Sequence, residues 1–334
     1  MMCLFFLTFR ALRAIINPSN ERGGIMLDLR SFIDSVKEQN INMDAVAVMR
    51  DGALLGLHRF SDTVAHNVFS VAKSHTATAI GFAIDEGKLK LTDKPIDFFR
   101  DILPESIDPK WERVTLHNLL TMTTGHGAAH LMVVDRKRLR EEGDTEWLNF
   151  AFTRPMPYEP GEKFSYGNLA PYVAGRMLEK AVGMTICDYL YEKMWKPMGS
   201  PKPLWETDLA GHTFAASDLY LDFIDMTKLG ALYASGGLWQ GKQLLSPEWV
   251  GTVGKKHTDS CVLNPAGYGA DEEMGYGYYF WLNHGAANSY RCYGREGQFV
   301  IILPEKNAVI ATQAMSSNVQ PILDAVWKHI LPQI

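Results

Sequence analysis

Ser70-Val71-Ala72-Lys73-Ser74-His75-Thr76-Ala77-Thr78-Ala79-Ile80-Gly81 is a run of small and apolar residues opened by a Ser-x-x-Lys tetrad. With Phe82, Ala83 and Ile84 following and Gly87 as a stop, it predicts a buried helix. Residues three apart on a helix share a face, so the Lys73 amine can lie beside the Ser70 hydroxyl and relay its proton. Ser70 is a candidate nucleophile and Lys73 its proton partner. The tetrad alone is weak, since Ser and Lys are each about one residue in fifteen and roughly one chance match is expected at this length. It is nonetheless the single match among the 334 residues.

Outward from that helix, positions 27–38 carry Leu27, Leu29, Phe32, Ile33 and Val36 at helical spacing. Apolar runs at 45–49 and 54–57 flank Asp51-Gly52, a hairpin signal. Asp93, Lys94 and Pro95 break regular structure, and 117–122 reads as a short helix ending in the Thr-Thr-Gly loop at 123–125. The charge-dense 135–146 reads most simply as a solvated helix face, and 169–182 as a second buried helix closed by Gly183. Towards the C-terminus, 275–282, 289–293, 298–303 and 308–314 are short aromatic or β-branched runs, read as successive antiparallel strands. Ile322, Leu323, Val326, Trp327 and Ile330 then share one face of a helix over 319–330. Strands at both ends with helices between predict an α+β fold, its antiparallel sheet built from both chain termini and flanked by helices. An all-helical subdomain is inserted from the middle of the chain. Residues 26–334 form a single domain on this reading, with an α/β part at 26–69 and about 215–334 and a helical part at about 70–214.

Composition narrows the function. A hydrophobic fraction of 46% supplies a large core, and a net charge of -5 with dispersed Lys and Arg argues against nucleic acid as a partner. No apolar run reaches the roughly 18 to 20 residues of a membrane-spanning helix. Cys3, Cys187, Cys261 and Cys292 form no Cys-x-x-Cys pair and read as reduced thiols. The apolar start, Met1 to Phe9, has its charges Arg10 and Arg13 behind it and no small-residue cleavage site, which makes a poor signal peptide. Residues 1–25 are expected to be an N-terminal extension, disordered or untranslated. Glu21-Arg22-Gly23-Gly24 can be encoded by a purine-rich stretch resembling a ribosome-binding site ahead of Met26. The expected location is cytoplasmic, or periplasmic or secreted if 1–25 acts as an export signal.

Two further stretches offer chemistry. Tyr166-Gly167-Asn168 is the only Tyr-x-Asn and lies in a turn-rich loop ahead of the helix at 169. A phenol near Lys73 can carry a proton between Ser70 and a leaving group, and the Asn168 amide can orient Lys73 or a substrate carbonyl. Gly294-Arg295-Glu296-Gly297-Gln298 is a glycine-framed turn, either a plain hairpin or a place where the Gln298 and Ser70 N–H groups hold a developing oxyanion. Ten histidines give one His-x-x-x-His pair, His126 and His130, with no carboxylate nearby until Asp135. Neither a metal nor a cofactor is expected.

With these motifs in this order, the chain resembles the serine beta-lactamase and penicillin-binding-protein superfamily, in particular the branch of class C beta-lactamases, D-amino-acid peptidases, esterases and amide hydrolases. The resemblance extends through 69–81, 119–125, 159–168, 194–199, Ala216-Ser217-Asp218, the glycines 236, 237 and 241 with Lys242, and 294–304. It implies a cleft between sheet and helical subdomain, with Ser70 acylated, Lys73 its proton partner, Tyr166 the general base and acid, and Asn168 orienting the site. Arg295 to Gly297 fall where the family has Lys-Thr-Gly or His-x-Gly. Arg295 departs from that pattern: a guanidinium can bind a carboxylate but is no base, and Glu296 can neutralise it. The expected function is a serine hydrolase cleaving an ester, amide or peptide bond of a small molecule or short peptide through a Ser70 acyl-enzyme. The alternative is a catalytically silent ligand-binding or regulatory protein on the same scaffold.

Overall fold

A computed structural model describes residues 26–62, 65–260 and 270–334. The N-terminal readings on 1–25, including Cys3, and the reading of Cys261 as a reduced thiol lie outside the described residues.

A six-stranded antiparallel sheet forms the centre, its strands in the spatial order Ala53–Arg59, Met43–Arg50, Ala308–Ala314, Gln298–Leu303, Tyr290–Gly294 and Trp281–Leu282. Its strands β1 (Met43–Arg50) and β2 (Ala53–Arg59) come from the N-terminal side, joined at Asp51 and Gly52, which both have positive φ as a two-residue hairpin demands. β8 (Trp281–Leu282), β9 (Tyr290–Gly294), β10 (Gln298–Leu303) and β11 (Ala308–Ala314) come from the C-terminal side. β11 pairs with β1 from Met43↔Ala314 to Arg50↔Ala308, so the two ends of the chain meet in mid-sheet.

Alternation along these strands divides the apolar side chains between two faces. Phe32 and Val36 of α1 (Arg30–Glu38) cover Val46, Val48, Ile301 and Ile310 on one face, together with Ile322 and Leu323 of the last α-helix, Gln320–Ala325, and Val326 and Ile330 of the π-helical turn that extends it. On the other face Ala45, Ala47, Val300 and Val309 join a larger cluster that runs on without a break into the helices.

Those helices are α2 (Val71–Asp85), α3 (Pro95–Phe99), α4 (Leu116–Leu120), α5 (Val133–Glu141), α6 (Trp147–Phe152), α7 (Leu169–Val182) and α8 (Ile186–Leu190). They are followed by α9 (Phe223–Ala234), α10 (Pro247–Val253) and α11 (Gln320–Ala325). α9 lies on the sheet, where a Cβ on Gly230 would stand 2.3 Å from Val309 Cγ2, so only glycine permits this approach. β3 (Ala65–Asn67), β4 (Leu204–Trp205) and β5 (Leu219–Asp222) make a small second sheet in the order β3-β5-β4. β6 (Leu238–Trp239) and β7 (Lys242–Gln243) form a separate hairpin.

The expected strand at 275–282 is reduced to Trp281–Leu282. Gly275 and Tyr279 take positive φ, and the backbone amides of Tyr278 and Tyr279 bond to the Val253 and Leu120 carbonyls. The buried tyrosine rings of this stretch are packed by bending the chain rather than by extending it.

Candidate active site

Every residue of α2 from Val71 to Ala83 is buried. Its hydroxyls are satisfied internally: Ser74 Oγ donates to the Tyr279 carbonyl (2.8 Å) and Thr76 Oγ1 to that of Ala215 (2.7 Å). Ser70 caps this helix, one residue after Phe69, whose φ of 47° is left-handed backbone. The turn thus presents Ser70 at the start of a helix held by packing along its length and by the Ser74 and Thr76 hydrogen bonds.

Lys73 lies one turn on and is 1% exposed. Its Nζ contacts Ser70 Oγ at 2.9 Å, Asn168 Oδ1 at 2.8 Å and the Ala216 carbonyl at 2.9 Å. Asn168 Nδ2 donates to the Leu131 carbonyl (3.1 Å), which fixes the amide so that its oxygen faces Lys73. Two of the three partners are therefore acceptors only. A neutral amine there spends both N–H bonds on Asn168 and Ala216, and its lone pair is left for the Ser70 proton. Burial pushes the Lys73 amine down to about 7; the nearby Arg136 acts in the same direction and Asp218 opposes it.

The Tyr166 ring lies under this amine, its centroid 5.0 Å from Lys73 Nζ. It is packed against Trp281 at 5.4 Å and Tyr276 at 6.2 Å between centroids, which gives the site an aromatic wall. Asn168 precedes α7, its backbone N–H donating to the His130 carbonyl (3.0 Å), so one loop delivers both Tyr166 and Asn168.

The 294–298 turn reaches the same place from the sheet. A Cβ on Gly294 would stand 2.3 Å from the Val68 carbonyl, so β9 ends against the segment leading into Ser70. The Arg295 guanidinium lies 5.9 Å from the centre of the Phe69 ring; its side chain is 71% exposed, and its Nε is 3.3 Å from Glu296 Oε1. Gly297 has a φ of 98°, and a side chain there would strike Ile322 of α11, so its freedom serves the turn. Gln298 opens β10 with its own side chain buried, Nε2 donating to the Ala314 carbonyl at 2.5 Å.

Three contributors were not read as site residues in the sequence: the Ala216 carbonyl and Asp218, whose segment entered only through the resemblance, and Arg136, which pairs with Asp218 82 residues away, both largely buried. Arg136 also corrects the reading of 135–146 as a purely solvated face. Lys137–Glu141 and Arg138–Glu142 are exposed i,i+4 pairs, but Arg136 turns inward over the Phe214 ring, 4.3 Å from its centroid. Among the described residues no group of three or more His, Cys, Asp or Glu stands close enough to hold a metal ion. His126 is engaged with Thr124 Oγ1 at 2.7 Å.

The chain is similar to known proteins over most of its length. The 6-aminohexanoate-dimer hydrolase of Paenarthrobacter ureafaciens is 23% identical over 283 residues, 80% of this chain and 71% of the relative. Among solved structures, a penicillin-binding protein homolog from Caulobacter crescentus superposes with a TM-score of 0.71 at 15% identity, covering 91% of this chain and 97% of the other. EstCE1, a hydrolase with promiscuous acyltransferase activity, gives 0.69 at 15% identity over 96% and 100%. At these identities the structural likenesses establish the fold, an α+β architecture shared with penicillin-binding proteins and beta-lactamases. The family model named Beta-lactamase matches residues 29–325, which includes both sheet-forming ends and every candidate site residue, and the chain belongs to the beta-lactamase family.

Proposed function

We propose that the protein is a serine hydrolase that opens an ester, amide or peptide bond through a Ser70 acyl-enzyme. One observation carries this reading: Lys73 is held between two acceptor-only oxygens and the Ser70 hydroxyl, with its amine pushed down to about 7. The Lys73 lone pair takes the Ser70 proton as Oγ adds to the substrate carbonyl. The tetrahedral oxyanion is held by backbone N–H groups, for which those of Ser70 and Gln298 are the candidates. Its collapse breaks the bond to the leaving group, which receives a proton relayed through Lys73 and the Tyr166 phenol. Water then adds to the acyl-Ser70 ester, and the same groups run in reverse to release the acid and restore Ser70. In this scheme Asn168 orients Lys73, Arg295 offers a positive charge to a substrate carboxylate, and Gly297 shapes the turn.

Membership of the beta-lactamase family supports the hydrolase assignment, and the hydrolase names of two relatives are consistent with it. A fluorophosphonate probe is expected to add its mass to the peptide containing Ser70, and Ser70→Ala to be unlabelled and inactive. Unchanged hydrolysis by Ser70→Ala would contradict the mechanism. A panel of short nitrophenyl esters, D-alanyl peptides and a chromogenic cephalosporin assigns the bond type. Saturable ligand binding with no covalent adduct and no product would instead support the silent binding protein.

A further inference from the structure

Asp218 is a non-glycine residue with a φ of 60°, left-handed backbone that persists where its surroundings hold it. Two side chains hold it. Arg136 NH1 pairs with Asp218 Oδ2, and Asn67 Nδ2 donates to Asp218 Oδ1 at 3.1 Å. The other end of the Asn67 amide accepts the Phe69 backbone N–H at 2.8 Å, and Phe69 is the left-handed residue just before Ser70. A line of contacts thus runs from Arg136 through Asp218 and Asn67 to the turn that presents Ser70.

The two ions also sit on the two segments that supply the neutral partners of Lys73. Leu131, whose carbonyl fixes Asn168, lies two residues before α5, the helix that carries Arg136. Ala216, whose carbonyl takes a Lys73 N–H bond, lies two residues before Asp218. The segment 215–219 is further stitched to 68–76 by Thr76 to the Ala215 carbonyl and the Val68 N–H to the Leu219 carbonyl.

We propose that Arg136 and Asp218 are positioning residues of the Ser70 centre, clamping the segment that holds Asn168 to the segment that offers the Ala216 carbonyl and bracing the Ser70 turn through Asn67. The proposal rests on the Ser70–Lys73 reading above. A clamp of packing alone would serve for shape, but this one also puts one charge of each sign near the amine. The charged and titratable groups facing Lys73 are Arg136 from α5, Asp218 from the segment before β5, and the Tyr166 phenol from the loop before α7. Arg136 disfavours the protonated amine and Asp218 favours it.

The test is the pH dependence of kcat/KM for a nitrophenyl ester, with the rate of fluorophosphonate labelling at Ser70, in the full chain. Arg136→Met leaves Asp218 unopposed and should move the acid limb to higher pH; Asp218→Asn should move it to lower pH. Both should slow labelling roughly ten- to a hundredfold, the scale of a small misplacement of reacting groups. The double variant Arg136→Met with Asp218→Gly removes both charges together and relieves the left-handed backbone. It is expected to melt no lower than the parent and still to label slowly. Acid limbs that stay in place or move together in the two single variants, or parental labelling by the double variant, would overturn the proposal. Failure of the parent protein to label at Ser70 would remove the underlying reading as well, whereas a labelled Ser70 with unmoved limbs removes only the role of the pair.

Discussion

Among the described residues two buried lysines, Lys73 and Lys228, touch a serine hydroxyl, and they do opposite things with it. Lys228 on α9 donates to Ser200 Oγ at 2.9 Å and to Asp225 Oδ1 at 2.8 Å, while Ser200 gives its own proton to that carboxylate at 2.6 Å. Cation, anion and hydroxyl close on one another there, and the serine oxygen has no proton to yield. At Lys73 the remaining partners are an amide oxygen and a backbone carbonyl, and the facing carboxylate, Asp218, is taken up by Arg136. A Ser–Lys contact is therefore not in itself a mark of catalysis. What separates the two is whether a carboxylate touches the amine: Lys228 meets Asp225, and Lys73 meets only neutral acceptors beside its serine.

The contrast breaks most sharply on paired substitutions. Lys73→Met should lower turnover by about 10²–10⁴-fold, the usual worth of a positioned proton carrier. Lys228→Met should leave turnover per folded molecule unchanged in the same ester assay. Stability should show the reverse order. Lys228→Met strands the Asp225 carboxylate, its side chain 11% exposed, and is expected to cost about 3–5 kcal/mol by urea unfolding. In Lys73→Met two orphaned acceptors are set against relief from a buried amine, so the change should stay within about 1 kcal/mol. Equal losses of stability in the two variants would remove the distinction.

Titration sharpens the same comparison. With the Lys73 amine at about 7 and the neutral form the reactive one, kcat/KM should rise as pH climbs through about 7. The folded value is below the ordinary lysine value of 10.5, so between them the unfolded chain holds a proton that the folded protein has released. Stability from this group accordingly increases with pH across that window, and below about pH 7, where both states are protonated, its burial penalty is present in full. Urea unfolding at a pH below and a pH above 7 should show the rise in the parent and a smaller one in Lys73→Met.

A backbone contact tests whether the sheet contributes to one lysine only. Gly294→Ala drives a Cβ to 2.3 Å from the Val68 carbonyl, and Gly230→Ala drives one equally close to Val309 on the far side of α9. Each should cost about 1–3 kcal/mol as overpacking. Only Gly294→Ala should also slow Ser70 labelling, because only there does the displaced backbone lead into the nucleophile.

Much of this arrangement was readable from local pattern. The bounds of α7, β10 and β11 coincide with the sequence expectation, because alternation and a terminal Gly183 act within a few residues. The closeness of Ser70 and Lys73 follows from helical spacing alone. The bend at 275–280 was not readable: its tyrosines have strand propensity, but the amides of Tyr278 and Tyr279 are claimed by Val253 and Leu120, partners distant in sequence. Nor was the Arg136–Asp218 pair, since a charge run on a helix shows no sign of which member turns inward until Phe214 and Asp218 are brought beside it.

The smallest effect is expected at the third ion pair in this comparison. Arg295 and Glu296 meet at 3.3 Å, but Arg295 is 71% exposed, so water and salt screen the pair, and Arg295→Ala should change stability by less than about 0.5 kcal/mol. Whether the cation matters is a question about substrate. If Glu296 neutralises it, Arg295→Ala leaves anionic and neutral esters alike. If Arg295 takes a carboxylate over the Phe69 ring, KM rises for the anionic ester alone and kcat is kept, the pattern of lost ground-state binding. The 71% exposure of the Arg295 side chain favours the second outcome, because the guanidinium stays open to a carboxylate from solvent even with its Nε near Glu296. A selective rise in KM is therefore expected, and identical constants for the two esters would assign the pair to the turn alone.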